Sequence, residues 1–203
     1  PEVRARTTIL TIGDNGTMPN GIPRGEPTDR LKHTPYEGGI RVPFLVNGPL
    51  VEQPGSTSEA LVHLADVFPT VMELAGVPLE GDEGETLVLP DGEEVVLDGR
   101  SLVPFLQDPS APGRAMVYAE AFFPNGPGPY GLDRQALQTR THKLVIDDGT
   151  ESFYRLEAPW YWDDHDLLRA GEPLTDEDQE ALDTLRTALA EKVAAMQDAL
   201  SFE

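Results

Sequence analysis

Thr7 to Ile12 (T-T-I-L-T-I) is a β-branched, apolar run without alternation that stops abruptly at Gly13-Asp14-Asn15-Gly16. A run apolar on both faces predicts a strand buried on both sides, and such a strand needs other layers above and below it. Arg41 to Val46 (R-V-P-F-L-V) predicts a second strand, with Pro43 at an edge or a start. A helix through Val67, Phe68, Val71 and Leu74 follows, with Asp66 to cap it, Pro69 in its tolerated first turn and Gly76 to stop it. Strand, loop, strand and helix of this composition place the chain in the α/β class. Ligands in such sheets gather beyond the carboxyl ends of the strands. Here that place holds the carboxylate of Asp14 beside the amide of Asn15, and Lys32 follows seventeen residues after Asn15.

The pattern changes further along. Leu87 to Leu97 reads as a hairpin with Asp91-Gly92 in its turn. Met116 to Phe122 and Gln135 to Ile146 read as strands, Asp148-Gly149 as a turn, and Ser152 to Leu156 as a returning strand. Thr175 opens a helix with Leu182, Leu185, Leu189, Val193, Met196 and Leu200 at spacings of three and four. This half predicts an antiparallel sheet covered by one amphipathic helix. The join is expected near Gln107 to Gly113, where D-P-S-A-P-G marks a linker, giving domains over residues 1–110 and 111–203.

Composition removes several classes of function. The 36 acidic against 15 basic side chains give a formal charge of −21, which excludes a broad nucleic-acid surface, since phosphate contacts need clustered Lys and Arg. A local positive pocket for one small anion stays open. Without cysteine there are no disulfides, thiolate metal sites or thiol nucleophiles. No apolar run approaches the roughly 18 residues that span a bilayer, so neither nucleic acid nor membrane is an expected partner.

Read by themselves, Asp14 and Asn15 are hard oxygen ligands suited to Ca²⁺ or Mg²⁺, but D-N-G is also a common turn, Lys32 a common surface lysine, and Gly38-Gly39 a tight turn. Their order says more. G-D-N-G, then K-H-T-P-Y-E-G-G-I-R-V-P (Lys32 to Pro43), A-D-V-F-P-T-V-M-E-L-A-G (Ala65 to Gly76) and D-G-R-S-L (Asp98 to Leu102) resemble the C-terminal part of type I sulfatases, of the alkaline phosphatase-like superfamily. H-K-L-V (His142 to Val145) and S-F-Y-R-L (Ser152 to Leu156) resemble the closing hairpin of that family. The resemblance implies the C-terminal part of an alkaline phosphatase-like α/β/α sandwich, followed by a small α+β subdomain with an antiparallel sheet and a terminal helix.

By that resemblance Asp14 and Asn15 match metal ligands, usually of Ca²⁺, and Lys32 matches the lysine that contacts the sulfate ester. The implied reaction is hydrolysis of a sulfate ester by a formylglycine nucleophile. Asn15, where phosphatase-like relatives often carry histidine, favours sulfate over phosphate; a phosphodiesterase or phosphonate hydrolase of the same superfamily and a non-catalytic, partner-binding module are the alternatives. His33 is expected in a pocket wall without a catalytic role, and His63 and His142 at packing or surface positions. The long hairpin at Leu87 to Leu97 and the loop bearing Trp160 and Trp162 are read as ordinary surface structure.

The family also needs a C/S-x-P-x-R motif, two further metal-binding aspartates, and histidine and lysine groups, all expected to precede Pro1 in an N-terminal part of the catalytic domain. Ser110-Ala111-Pro112-Gly113-Arg114 fits that pattern literally. It follows the metal motif instead of preceding it and leads into a strand, so it is read as interdomain linker. The expectations for the isolated chain are therefore inactivity, weak stability or self-association through unpaired strands, and poor metal affinity, because two ligands are too few for an ion that takes six to eight. By resemblance, the parent protein is expected to be periplasmic or secreted.

Overall fold

The computed structural model describes residues 2–18, 21, 29–81, 86–124, 129–157 and 163–200, with side chains as far as residue 197. In chain order the elements are β1 (Ile9–Ile12), α1 (Glu37–Ile40), β2 (Phe44–Asn47), α2 (Val67–Leu74), β3 (Thr86–Val88), β4 (Glu94–Val96), α3 (Val103–Gln107), β5 (Val117–Phe123), β6 (Leu132–Gln138), β7 (His142–Asp147), β8 (Thr150–Arg155) and α4 (Asp176–Leu200). They fall into two compact units. One comprises Pro1–Ile12 and Phe44–Ala115, the other Gly13–Pro43 and Met116–Glu203.

In the first unit β1 pairs antiparallel with β2, Ile9 opposite Asn47 and Ile12 opposite Phe44. The expectation of a strand buried on both faces is not met among the described residues: Ile9 is 56% and Leu45 61% exposed, because this sheet has only two strands. Pro43 directly precedes β2, where its missing N–H costs the ladder nothing. Helix α2 ends at Leu74 with Ala75 as its C-cap, and Gly76 follows with φ +79°, the left-handed stop that glycine permits.

Asp66 does not cap α2 with its side chain. Its buried carboxylate accepts the N–H of His63 at 2.7 Å and of Arg100 at 2.9 Å, and pairs with the Arg114 guanidinium. The Thr70 hydroxyl donates to Asp66 O at 2.5 Å and accepts the Leu102 N–H at 2.8 Å. The A-D-V-F-P-T and D-G-R-S-L segments are thus two halves of one lock. Arg114, last residue of the S-A-P-G-R match, serves that lock, while the exposed Ser110 donates its hydroxyl to Asp108 at 2.7 Å. The hairpin of β3 and β4 turns at Gly92, with φ +87°.

The second unit is built on the antiparallel sheet β5-β6-β7-β8. The segment Gln135 to Ile146 is not one strand: Thr139 takes its hydrogen bonds from and to His142 and breaks it into β6 and β7. A Thr-Arg-Thr turn lacks the Gly, Pro or Asn that announces most turns. The Asp148-Gly149 turn forms as expected, with φ +46° and +79°, values that match a two-residue hairpin. Leu137, Leu144 and Phe153 stand opposite one another on one face and pack against Leu182, Leu185 and Leu189 of α4. The opposite face carries Ala136, Val145 and Tyr154, and there the cover is Tyr36, from the loop that bears Lys32. Helix on one face and loop on the other make this sheet two-sided.

The end of α4 is fixed by Asp178. Its carboxylate accepts the Thr175 N–H and hydroxyl (3.1 and 2.5 Å), Arg155 Nε and a terminal NH2 (3.1 and 2.5 Å), and His142 Nε2 (3.1 Å), while Thr175 Oγ1 accepts the Asp178 N–H. His142 is therefore a packing residue, stacked on Phe153 with 5.3 Å between ring centroids. Chiefly through Arg155, Asp178 is held well below the usual carboxylate range. A depressed carboxyl contributes stability that is full above its unfolded pKa of about 3.9 and is lost as pH falls toward its folded value. Asp178→Asn is expected to lower the melting temperature at neutral pH, and the gap to wild type should close on acidification below about pH 4. Parallel melts across that range check it; a gap constant with pH would show that the charge is not what matters.

Candidate functional site

Asp14, Asn15 and Lys32 all lie in the second unit. Gly13 leaves β1 and donates its N–H to Pro43 O at 2.9 Å. Gly16 N–H donates to Gly39 O at 2.7 Å and Thr17 N–H to Gly38 O at 3.1 Å. Lys32 N–H in turn donates to Thr17 O at 3.1 Å. Four backbone hydrogen bonds thus stitch the Asp-Asn loop to the Lys loop along the line of the E-G-G-I-R-V-P segment. The glycines are there for closeness. A Cβ on Gly16 would meet Gly38 O at 2.0 Å, and one on Gly39 would meet Thr34 O at 2.1 Å, distances no side chain survives.

At the surface of this stitched pair Asp14 is exposed, and its Oδ1 accepts the Asn15 N–H at 3.0 Å. Asn15 and Lys32 are half-buried, and His33 is exposed. His33 turns the chain with φ +74°, and Thr34 closes the turn by donating N–H and hydroxyl to Leu31 O at 3.1 and 2.7 Å. The donor set is hard oxygen, which fits Ca²⁺ or Mg²⁺ in kind. It does not fit in number: among the described residues no three His, Cys, Asp or Glu side chains gather to hold an ion. Asp14 and Asn15 fit a metal as two members of a larger shell.

The loop is held from beneath by charges that sequence reasoning missed. Glu37, 2% exposed, follows directly from the Lys32 turn, and its Oε1 accepts from Lys143 Nζ at 2.9 Å. Lys143, on β7, is fully buried and also lies 3.2 Å from Asp163 Oδ1. Asp163 Oδ2 accepts the Glu37 N–H at 2.5 Å, and Arg30 donates to the Asp163 carbonyl. Burial raises the Asp163 carboxyl, with Lys143 opposing. The Arg30 guanidinium rests over Tyr36 at 5.1 Å and Tyr154 at 5.4 Å. The signal was available in part: in β7 the alternation that points Leu144 at α4 points Lys143 the other way, and a lysine facing inward needs a carboxylate. Nothing local says that the carboxylate is Glu37, 106 residues earlier.

The sulfatase family model matches residues 2–77. Steryl-sulfatase of Mus musculus is 41% identical over 88 residues, which are 43% of this chain and 11% of that protein. The ulvan-active sulfatase of Formosa agariphila is 37% identical over 87 residues, 43% of this chain and 15% of that protein. The chain thus spans 11–15% of the length of these curated relatives. A protein solved in complex with its substrate D-glucosamine-2-N,6-O-disulfate shares the fold with a TM-score of 0.64 at 21% identity, over 94% of this chain and 35% of that one. The chain is thus similar in sequence to sulfatases over residues 2–77, and it shares its α/β fold with that solved structure over 94% of its length.

Proposed function

We propose that this chain supplies one wall of the active site of an enzyme that hydrolyses sulfate esters, with Asp14 and Asn15 as two ligands of a divalent cation, Ca²⁺ or Mg²⁺, and Lys32 as the cation that meets the sulfuryl group. The observation that carries this reading is the backbone ladder Gly16–Gly39, Thr17–Gly38 and Lys32–Thr17, which binds the acidic loop and the lysine loop into one piece. A hard dication held by Asp14 and Asn15 together with ligands from outside this chain would supply Lewis-acid polarisation of the sulfate oxygens. Lys32 is fixed at its backbone and is only half-buried as a residue, so its ammonium can offset negative charge growing on the sulfuryl group or the bridging oxygen. Asp14, engaged only by the adjacent Asn15 N–H among the described residues, keeps lone pairs for a ligand. The nucleophile, a formylglycine in this reading, and the other metal ligands come from the N-terminal part of a longer protein.

No helix among the described residues is long and apolar enough to cross a membrane, and export to the periplasm or medium belongs to the same proposal. Assays of aryl sulfate, aryl phosphate and aryl phosphonate esters test it. The longer protein should turn over the sulfate fastest and lose that activity to a chelator, and the 203-residue chain alone should turn over none. Preference for phosphate or phosphonate, or sulfate turnover by the chain alone, would refute it.

A further inference from the structure

The same loop borders a second feature of the second unit, a recess of about 270 Å³. Arg30, Tyr36, Arg134, Ser152 and Arg169 line it, with Asp29 and Asp147 among its walls. Three arginines line it in a chain whose formal charge is −21, and the Arg30 guanidinium is already engaged by the Asp163 carbonyl. Two of them are held in a way that leaves their working ends open. Arg134 donates Nε to Asp147 Oδ1 at 2.7 Å, while Arg169, more exposed, is held only by an ion-pair approach of 3.2 Å to Asp166 Oδ2 that makes no hydrogen bond. Among the described residues their terminal NH2 groups have no partner, and an anchored fork of that kind suits bidentate capture of an oxyanion.

The other walls are hydrogen-bonding. Burial raises the Tyr36 phenol, and Asp147 adds to that, so Tyr36 enters as a neutral hydroxyl. Asp29 and Ser152 can accept from ligand hydroxyls. The volume lies just below the range of about 300–1,000 Å³ that takes drug-sized molecules, which suits one sugar ring.

We propose that this recess binds a single hydroxylated ring carrying an oxyanion, an acidic sugar, with the free ends of Arg134 and Arg169 on its sulfate or carboxylate. Arg30 and Tyr36 flank Lys32 in the chain at distances of two and four residues. The recess shares this loop with Lys32, and as part of the same proposal it takes a second anionic group of the substrate handled there. That last step rests on the sulfate-ester reading; binding in the recess does not.

Titration of the full chain with glucose 6-sulfate, glucuronate and glucose at constant ionic strength, followed by NMR or calorimetry, tests it. Both acidic sugars should bind and glucose should not. Arg134→Gln and Arg169→Gln should each weaken binding by about tenfold or more, and Lys32→Ala should leave it unchanged. Arg169, 63% exposed, can be replaced without loss of the fold and so decides the matter even if Arg134→Gln melts early. Absence of binding, equal binding of glucose, or loss in Lys32→Ala with retention in the arginine variants would overturn the recess. Failure of sulfate-ester hydrolysis by the longer protein would leave recess binding intact and remove only its role as a subsite.

Discussion

Lys143→Met is expected to destabilise the second unit by about 3–5 kcal/mol, the cost of leaving buried charge without its partner. Methionine matches the volume, so packing changes little. The loss is electrostatic: Glu37 and Asp163, 2% and 4% exposed, are left with no ammonium between them. Arg41 reaches Glu37 Oε2 at 3.4 Å from a side chain that is 47% exposed, where water weakens the attraction. Since whole domains are stable by only about 5–15 kcal/mol, the effect should be large in a urea titration. Combining Lys143→Met with Glu37→Gln should recover part of it by removing one orphaned charge. A loss below about 1 kcal/mol would mean that the triad is not the anchor of the loop.

Lys32→Ala in the longer protein is expected to lower kcat for a sulfate ester by about 10²–10³, the range seen when one donor to a developing oxyanion is removed. The substitution is clean for a structural reason. Lys32 enters the backbone ladder through its N–H to Thr17 O, which alanine keeps. The melting temperature should therefore stay put while turnover falls. Lys32→Arg should rescue poorly, because a planar fork does not replace a compact ammonium. A higher KM at constant kcat would instead assign Lys32 to ground-state binding, and unchanged kinetics would remove it from the site.

What the sequence disclosed followed from how local each signal is. The leucines of α4 repeat at three and four residues, and the Asp148-Gly149 turn carries its own left-handed residue, so both could be read directly. The break between β6 and β7 could not, because Thr139 to Thr141 turn by hydrogen bonds to His142 and not by a Gly or Pro. At the candidate site the residue types Asp14, Asn15 and Lys32 were legible, and the backbone stitching that joins their loops was not, since any residue type can donate an N–H. Asp66 shows the same limit. A cap was visible in its place before α2, yet its carboxylate is spent on His63, Arg100 and Arg114. The Lys143–Glu37 pair joins positions whose meeting only the fold decides.

The two-sided sheet also sets where this chain can tolerate a change of length. In β7, Leu144 serves α4 and its neighbours Lys143 and Val145 serve the Lys32 loop, one residue apart. Insertion or deletion of a single residue between His142 and Ile146 would exchange the two sets, presenting an ammonium to the leucines of α4 and a leucine to Glu37. Helix and loop would come undone in one event. Changes of length should therefore be tolerated only in the connections between strands, and β7 should tolerate none.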